Sequence, residues 1–174
     1  IKLALNHKDD LGALGSLSES IKLEEGLSVG AVWCVSQVAK ELGIEKSLGN
    51  DFQGKLAMWQ VIARVINQGS RLSAVRLAQV HAAGEVLDLK RGFDENDLYK
   101  NLAWLAENQG EIEKWLFKLR RGVKKPKLFL YDVTSSYLEG EHNYFGLFGY
   151  NRDGKKGKKQ IVIGLLCDED GEAV

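Results

Sequence analysis

The sequence has little cysteine, histidine and proline: two cysteines, three histidines and one proline among 174 residues. Cys34 and Cys167 have no further cysteine or histidine at metal-ligand spacing, so neither a zinc site nor a disulfide framework is indicated, and we expect two buried thiols. No apolar run approaches the roughly 20 residues of a membrane helix. The first ten residues also lack the basic-then-apolar layout of a secretory signal. These absences predict a soluble, cytoplasmic protein with no membrane partner.

The formal net charge is zero, but the charges are unevenly distributed along the chain. Residues 118–160 contain 11 Lys and Arg against four Asp and Glu, whereas residues 161–174 contain four acids and no base. Such a basic band favours contacts with the phosphates of a polyanionic backbone, although a solvated loop explains the same charges equally well. The residues that would make these contacts, and that become the candidate DNA-binding residues if the polyanion is DNA, are Arg120, Arg121, Lys124, Lys125, Arg152, Lys155, Lys156, Lys158 and Lys159.

Hydrophobic residues make up 44% of the chain, enough for a packed core, and they recur at helical spacing from residue 29 to about 119. The pattern predicts helices over about 54–67, which is apolar nearly all round, over 73–87, and over 94–105 continuing through 111–120. A first helix, predicted to end at Gly43, has an apolar stripe of Val32, Val35, Val38, Ala39 and Leu42. Five large side chains are expected to pack in the core: Trp33, Met58, Trp59, Trp104 and Trp115.

The pattern changes at Pro126, because proline can neither continue a helix nor let its predecessor sit easily in one. Residues 127–133 and 160–167 are apolar and β-branched, which predicts two buried strands. The acids of residues 168–170, followed by Gly171, predict a turn after which the chain pairs back antiparallel. We therefore predict an α+β protein with an all-helical domain over 1–125 and a second domain beginning at 126.

The sharpest local feature is Asp132, a carboxylate inside the apolar run LFLYDV and followed by Thr134, Ser135 and Ser136. A charge there is costly unless it is hydrogen-bonded, paired or bound to a metal. One interpretation is that Asp132 ends the strand and caps the hydroxyl-rich turn. The other is that it binds Mg²⁺, which prefers carboxylate oxygens from several separate elements.

The run from Tyr131 to Val174 resembles the segment around the first catalytic aspartate in insertion-sequence transposases of the IS4 superfamily, especially its IS1634-like branch. The matching pieces are the strand with Asp132 and its hydroxyl run, the GY-x-RDGKKGK-x-Q connection from Gly149 to Gln160, and the GLL strand from Gly164 to Leu166. This resemblance covers roughly the last 45 residues strongly. The helical region upstream would not by itself identify a family.

The resemblance implies a ribonuclease-H-like α/β core in which two aspartates and a glutamate, the DDE set, hold two Mg²⁺ or Mn²⁺ ions. Those ions activate water or a 3′-hydroxyl for attack on a DNA phosphodiester. Carried over residue by residue, only Asp132 matches one of the three acids. The resemblance further implies double-stranded DNA as the partner and a homodimer in the full-length protein.

The first residue is Ile and the sequence stops soon after a strand-like run, so we expect both ends to be cut. The core is then incomplete, and the fragment alone is expected to be inactive. Two alternatives remain open. The chain could be a non-catalytic DNA-binding or inhibitory module in which Asp132 is structural, or a helical scaffold whose basic connection is only solvated surface.

Overall fold

The computed structural model describes residues 25–121, 127–140, 142–149, 157–169 and 171. Within them it contains six helices and one two-stranded antiparallel sheet, so the predicted mixture of helix and strand is confirmed. The chain divides into two compact units, Ile1–Ile112 and Glu113–Val174. The division falls inside the last helix. Pro126, where the sequence predicted the boundary, lies outside the described residues.

The helical unit begins with α1 (Gly30–Glu41), a short α2 (Ile44–Leu48) and the long α3 (Phe52–Ile66). Gly43 separates α1 from α2 and has φ 76°, a left-handed conformation that glycine adopts at little cost. The predicted end of the first helix is therefore confirmed.

The core of the helical unit lies around α3, the helix whose sequence is apolar nearly all round. The side chain of Asp51 caps this helix by accepting a hydrogen bond of 2.8 Å from the N–H of Gly54. Gly54 lies so close to the preceding turn that a Cβ atom there would be 2.3 Å from the carbonyl oxygen of Gly49. The buried apolar residues of α3 are Leu56, Ala57, Met58, Trp59, Ile62 and Ala63.

The predicted helix over 73–87 is wrong as a single element, because the structure has two helices there, α4 (Arg71–Val80) and α5 (Ala83–Val86). The break follows from a distant contact with Ser28. Its N–H donates to the carbonyl of Val80, and its own carbonyl accepts from the N–H of Ala82. These bonds use backbone groups that a continuous helix would need.

The last helix, α6 (Glu95–Arg121), is continuous over 27 residues. It begins with a reciprocal capping box, in which the N–H of Asp97 donates to the side chain of Asp94 and the N–H of Asp94 donates to that of Asp97. Both bonds satisfy N–H groups that have no partner within the helix, so the acid-rich start predicted this helix N-terminus correctly.

In the second unit, β1 (Phe129–Tyr137) pairs antiparallel with β2 (Gln160–Asp168). Both predicted strands are confirmed, but their predicted burial is wrong, since most side chains on both faces of this two-stranded sheet are exposed. The predicted turn after β2 is confirmed by a hydrogen bond from the N–H of Gly171 to the carbonyl of Asp168. Asp170 and the segment predicted to pair back lie outside the described residues.

Four predictions of burial are also wrong. Trp33 and Trp115 are about half exposed. The buried stripe of α1 consists of Val32, Ser36 and Ala39, and Trp33 lies beside it rather than on it. Both cysteines are free thiols, but Cys34 is exposed and Cys167 is only partly buried.

Candidate functional site

Asp132 is the fourth of the nine residues of β1, so the interpretation that it ends the strand and caps a hydroxyl-rich turn is wrong. The strand continues because Thr134, Ser135 and Ser136 pair with Ile163, Val162 and Ile161, in that order. Serine favours turns locally, but pairing with a β-branched partner strand outweighs that preference.

The carboxylate of Asp132 is exposed, and its Oδ1 accepts a hydrogen bond of 2.9 Å from the N–H of Val133. Asp132 lies directly opposite Leu165 on β2. Since side chains alternate between faces along a strand, Leu130 and Thr134 share its face. This face offers one carboxylate and a hydroxyl group beside exposed apolar side chains.

A hard divalent ion would need more ligands than this face provides. Within the described parts of the chain, no three His, Cys, Asp or Glu side chains come together as a metal site. Asp132 has the right chemistry for one ligand of Mg²⁺ or Mn²⁺, namely an accessible carboxylate. Its metal-binding and catalytic roles stay predictions.

Four of the nine candidate DNA-binding residues fall within the described residues. The ammonium group of Lys158 forms an ion pair with Glu139 and remains partly exposed. Lys159 is partly buried. Its carbonyl accepts a hydrogen bond from the N–H of Leu138, where the connection joins the two strands. Arg120 is half-buried near the end of α6. Arg121 is the fourth. The remaining five candidates lie outside the described residues: Lys124, Lys125, Arg152, Lys155 and Lys156.

Arg121 forms an ion pair that was not predicted from the sequence. Its guanidinium forms an ion pair with Asp168 at the end of β2, and the two side chains are 10% and 2% exposed. A buried arginine with a carboxylate partner is poorly placed to meet a phosphate. Consecutive bases at the end of α6 and consecutive acids at the end of β2 were the signal that could have suggested this pair.

Glu169, the residue after Asp168, binds the backbone just before β1. Its Oε2 accepts a hydrogen bond of 3.2 Å from the N–H of Lys127. The pKa of Glu169 is lowered by hydrogen bonds from its own N–H and then from those of Lys127 and Leu128, with a further contribution from the charge of Arg121. Asp168 and Glu169, predicted only as turn residues, therefore also join the end of α6 and the backbone just before β1 to the end of β2.

Comparison of the chain with protein-family models, curated proteins and solved structures found no match. Among the described residues, no helix is both long and apolar enough to span a bilayer.

Proposed function

We propose that this chain carries the first catalytic aspartate of a DDE-type DNA transposase, an enzyme that cuts DNA phosphodiesters and joins the resulting ends to a target. The observation that supports this function best is the register of the hairpin. Tyr131, Asp132 and Val133 lie opposite Leu166, Leu165 and Gly164, respectively. The strand with Asp132 and the GLL strand, which are two separate pieces of the resemblance, are therefore paired directly with each other.

Asp132 serves in this proposal as one of three acids that hold two divalent ions, within a ribonuclease-H-like core. Its carboxylate is exposed on the face of β1 and can accept a metal ion there. When bound, such ions polarise the phosphodiester and lower the pKa of the attacking water or hydroxyl group. No other residue of this chain matches the remaining two acids, so the chain alone is inactive.

The partner in this proposal is double-stranded DNA. The connection between β1 and β2 carries most of the basic residues that would contact its phosphates, and it begins and ends on the hairpin that holds Asp132. In the complete, homodimeric enzyme this would place phosphate contacts on the same hairpin as the first metal ligand.

The test is Asp132→Asn in a complete transposase that contains this chain together with the other two acids. Cleavage of DNA in Mg²⁺ or Mn²⁺ should be abolished while DNA affinity is retained, because the substitution removes a charge but little volume. Glu139→Gln is the matched control, since it neutralises an exposed acid on the same hairpin and should leave cleavage intact. Full cleavage by Asp132→Asn would remove Asp132 from the active site and favour a non-catalytic DNA-binding module.

A further inference from the structure

Between β1 and β2, residues 142–149 form a turn that exposes aromatic rings, here called the aromatic turn. Tyr144 is 93% exposed, Phe145 70% and Phe148 69%. The rings of Tyr144 and Phe145 pack edge to face with their centroids 5.3 Å apart. Exposed apolar groups concentrated in one segment mark an interaction site more often than plain surface.

The backbone of this turn is anchored at several points. Gly146 is buried, its N–H donates to the carbonyl of Asn143, and a Cβ atom on it would lie 2.8 Å from the side chain of Leu138. Leu147 and Gln160 exchange two backbone hydrogen bonds of 3.2 and 2.9 Å. The rings are therefore presented by a fixed loop, which lowers the entropic cost of binding a partner.

The aromatic turn forms one side of a groove of about 490 Å³. Phe145 and Phe148 line it from the turn, and Ile161 and Val162 line it from the start of β2. Pockets that bind drug-sized ligands have volumes of about 300–1,000 Å³, so this groove is large enough for a nucleobase.

Positive charge in the adjoining sequence indicates the kind of partner. In the sequence, five bases and one acid separate Gly149 from Gln160, both of which line the groove, and two of those bases, Lys158 and Lys159, are among the described residues. Lys158 and Lys159 lead directly into the groove at Gln160. Exposed rings beside basic residues are the combination with which proteins bind single-stranded nucleic acids, since rings stack on bases and cations contact phosphates.

We propose that the aromatic turn binds the unpaired bases of single-stranded DNA by stacking. This inference rests on the proposed function, which makes DNA the partner, and adds a base-binding surface to it. The test measures the affinity of the 174-residue chain for three fluorescently labelled probes: a thymidine 15-mer, the same backbone with abasic sites, and a 15-base-pair duplex.

The wild-type chain should bind the thymidine strand more tightly than the abasic strand, which has the same phosphates. Removing a stacked ring should weaken binding to thymidine by about 5- to 150-fold. Phe145→Ala/Phe148→Ala should therefore bind the two strands equally, with affinity for the abasic strand unchanged. Tyr99→Ala, which removes an exposed ring of α6, is the control and should keep the preference for thymidine. Circular dichroism checks that all the variants fold.

Equal binding of thymidine and abasic strands by the wild-type chain would overturn the inference, and so would a preference that survives in Phe145→Ala/Phe148→Ala. If the duplex still binds with steep salt dependence when either of these results is obtained, the proposal that the chain binds DNA is retained and only the base-binding surface is ruled out. If no probe binds, this chain has neither the base-binding surface nor the phosphate contacts proposed for its connection, and the role of Asp132 depends on the Asp132→Asn experiment alone. A wild-type dimer that the double substitution dissociates, with DNA affinity unchanged, would instead make the turn a contact between copies of the chain.

Discussion

Gln60 and Asn101 are joined by a hydrogen bond of 2.8 Å, from Gln60 Nε2 to Asn101 Oδ1, in the interior of the helical unit. Asn101 also donates to the backbone carbonyl and the side chain of Gln53, both at 2.8 Å. Asn101 is fully buried and Gln60 nearly so. Buried polar groups that satisfy one another fix how the helices pack, because any other register would leave them unpaired.

We expect Asn101→Ala to lower the free energy of unfolding by about 2 kcal/mol, since buried Gln60 Nε2 is left with only the carbonyl of Leu98 as an acceptor and Gln53 Oε1 loses the donor Asn101. Asn108→Ala is the matched control, because Asn108 Nδ2 donates to the carbonyl of Trp104 within the same helix and not between helices. It should cost less than about 1 kcal/mol. Urea denaturation measures both. Equal losses would show that the network does not stabilise the fold specifically.

Features of the helical unit that depend on neighbouring residues could be predicted from the sequence. Gly43 ends a helix because of its own conformational freedom, and Asp94 starts one because its side chain reaches an N–H three residues later. The break between α4 and α5 could not be predicted, because it depends on Ser28, which is distant in the sequence.

The same distinction applies to the candidate site. The residue types around Asp132 predicted a strand, but its length depends on β2, which pairs with Thr134 to Ser136 and keeps them extended. The ion pair of Arg121 with Asp168 likewise joins residues that have no local relationship. The ribonuclease-H-like core and the metal site stay predictions, because they require acids from elements beyond the two strands described.

Gly54→Ala should destabilise the helical unit, because the added Cβ would lie 2.3 Å from the carbonyl oxygen of Gly49 and 2.4 Å from that of Leu48. Backbone atoms cannot rotate away as a side chain can, so we expect a loss of about 1–3 kcal/mol. Gly110→Ala lies in the interior of α6, where the new Cβ would meet nothing within 4 Å apart from the backbone of its own helix, and it should instead stabilise by about 0.5–1 kcal/mol. Thermal denaturation distinguishes them. A neutral Gly54→Ala would show that the turn before α3 can move.

Asp97 should make stability depend on pH through the capping box of α6. Its pKa is lowered first by the hydrogen bond from the N–H of Asp94 and then by Arg91. The stabilisation is present above the ordinary pKa of aspartate, about 3.9, and is lost as the pH falls through the lower pKa of the folded state.

Asp97→Ala should cost about 1 kcal/mol at pH 7, and this difference from wild type should shrink below about pH 4. Glu107→Ala, which removes an exposed acid of the same helix away from the capping box, is the control. A difference that stays constant down to pH 2 would contradict this role.

The basic connection is expected to bind DNA through phosphates, so its affinity should be largely independent of sequence and fall steeply with salt. Each phosphate contact contributes roughly 0.9 to the log–log salt slope for duplex DNA. Changing Lys155, Lys156, Lys158 and Lys159 together to Ser should therefore lower the affinity and flatten the slope by about two to four. Breaking the ion pair of Lys158 with Glu139 costs little, since exposed pairs contribute at most about 1 kcal/mol.

The control removes the same number of charges from the helical unit, by the same substitution of Lys40, Lys46, Lys90 and Lys100. Fluorescence anisotropy over a range of salt measures both slopes, and circular dichroism confirms folding. If only the control flattens the slope, the helical unit becomes the better candidate for DNA contact. If both variants flatten it equally, the effect comes from net charge rather than from contacts of the connection.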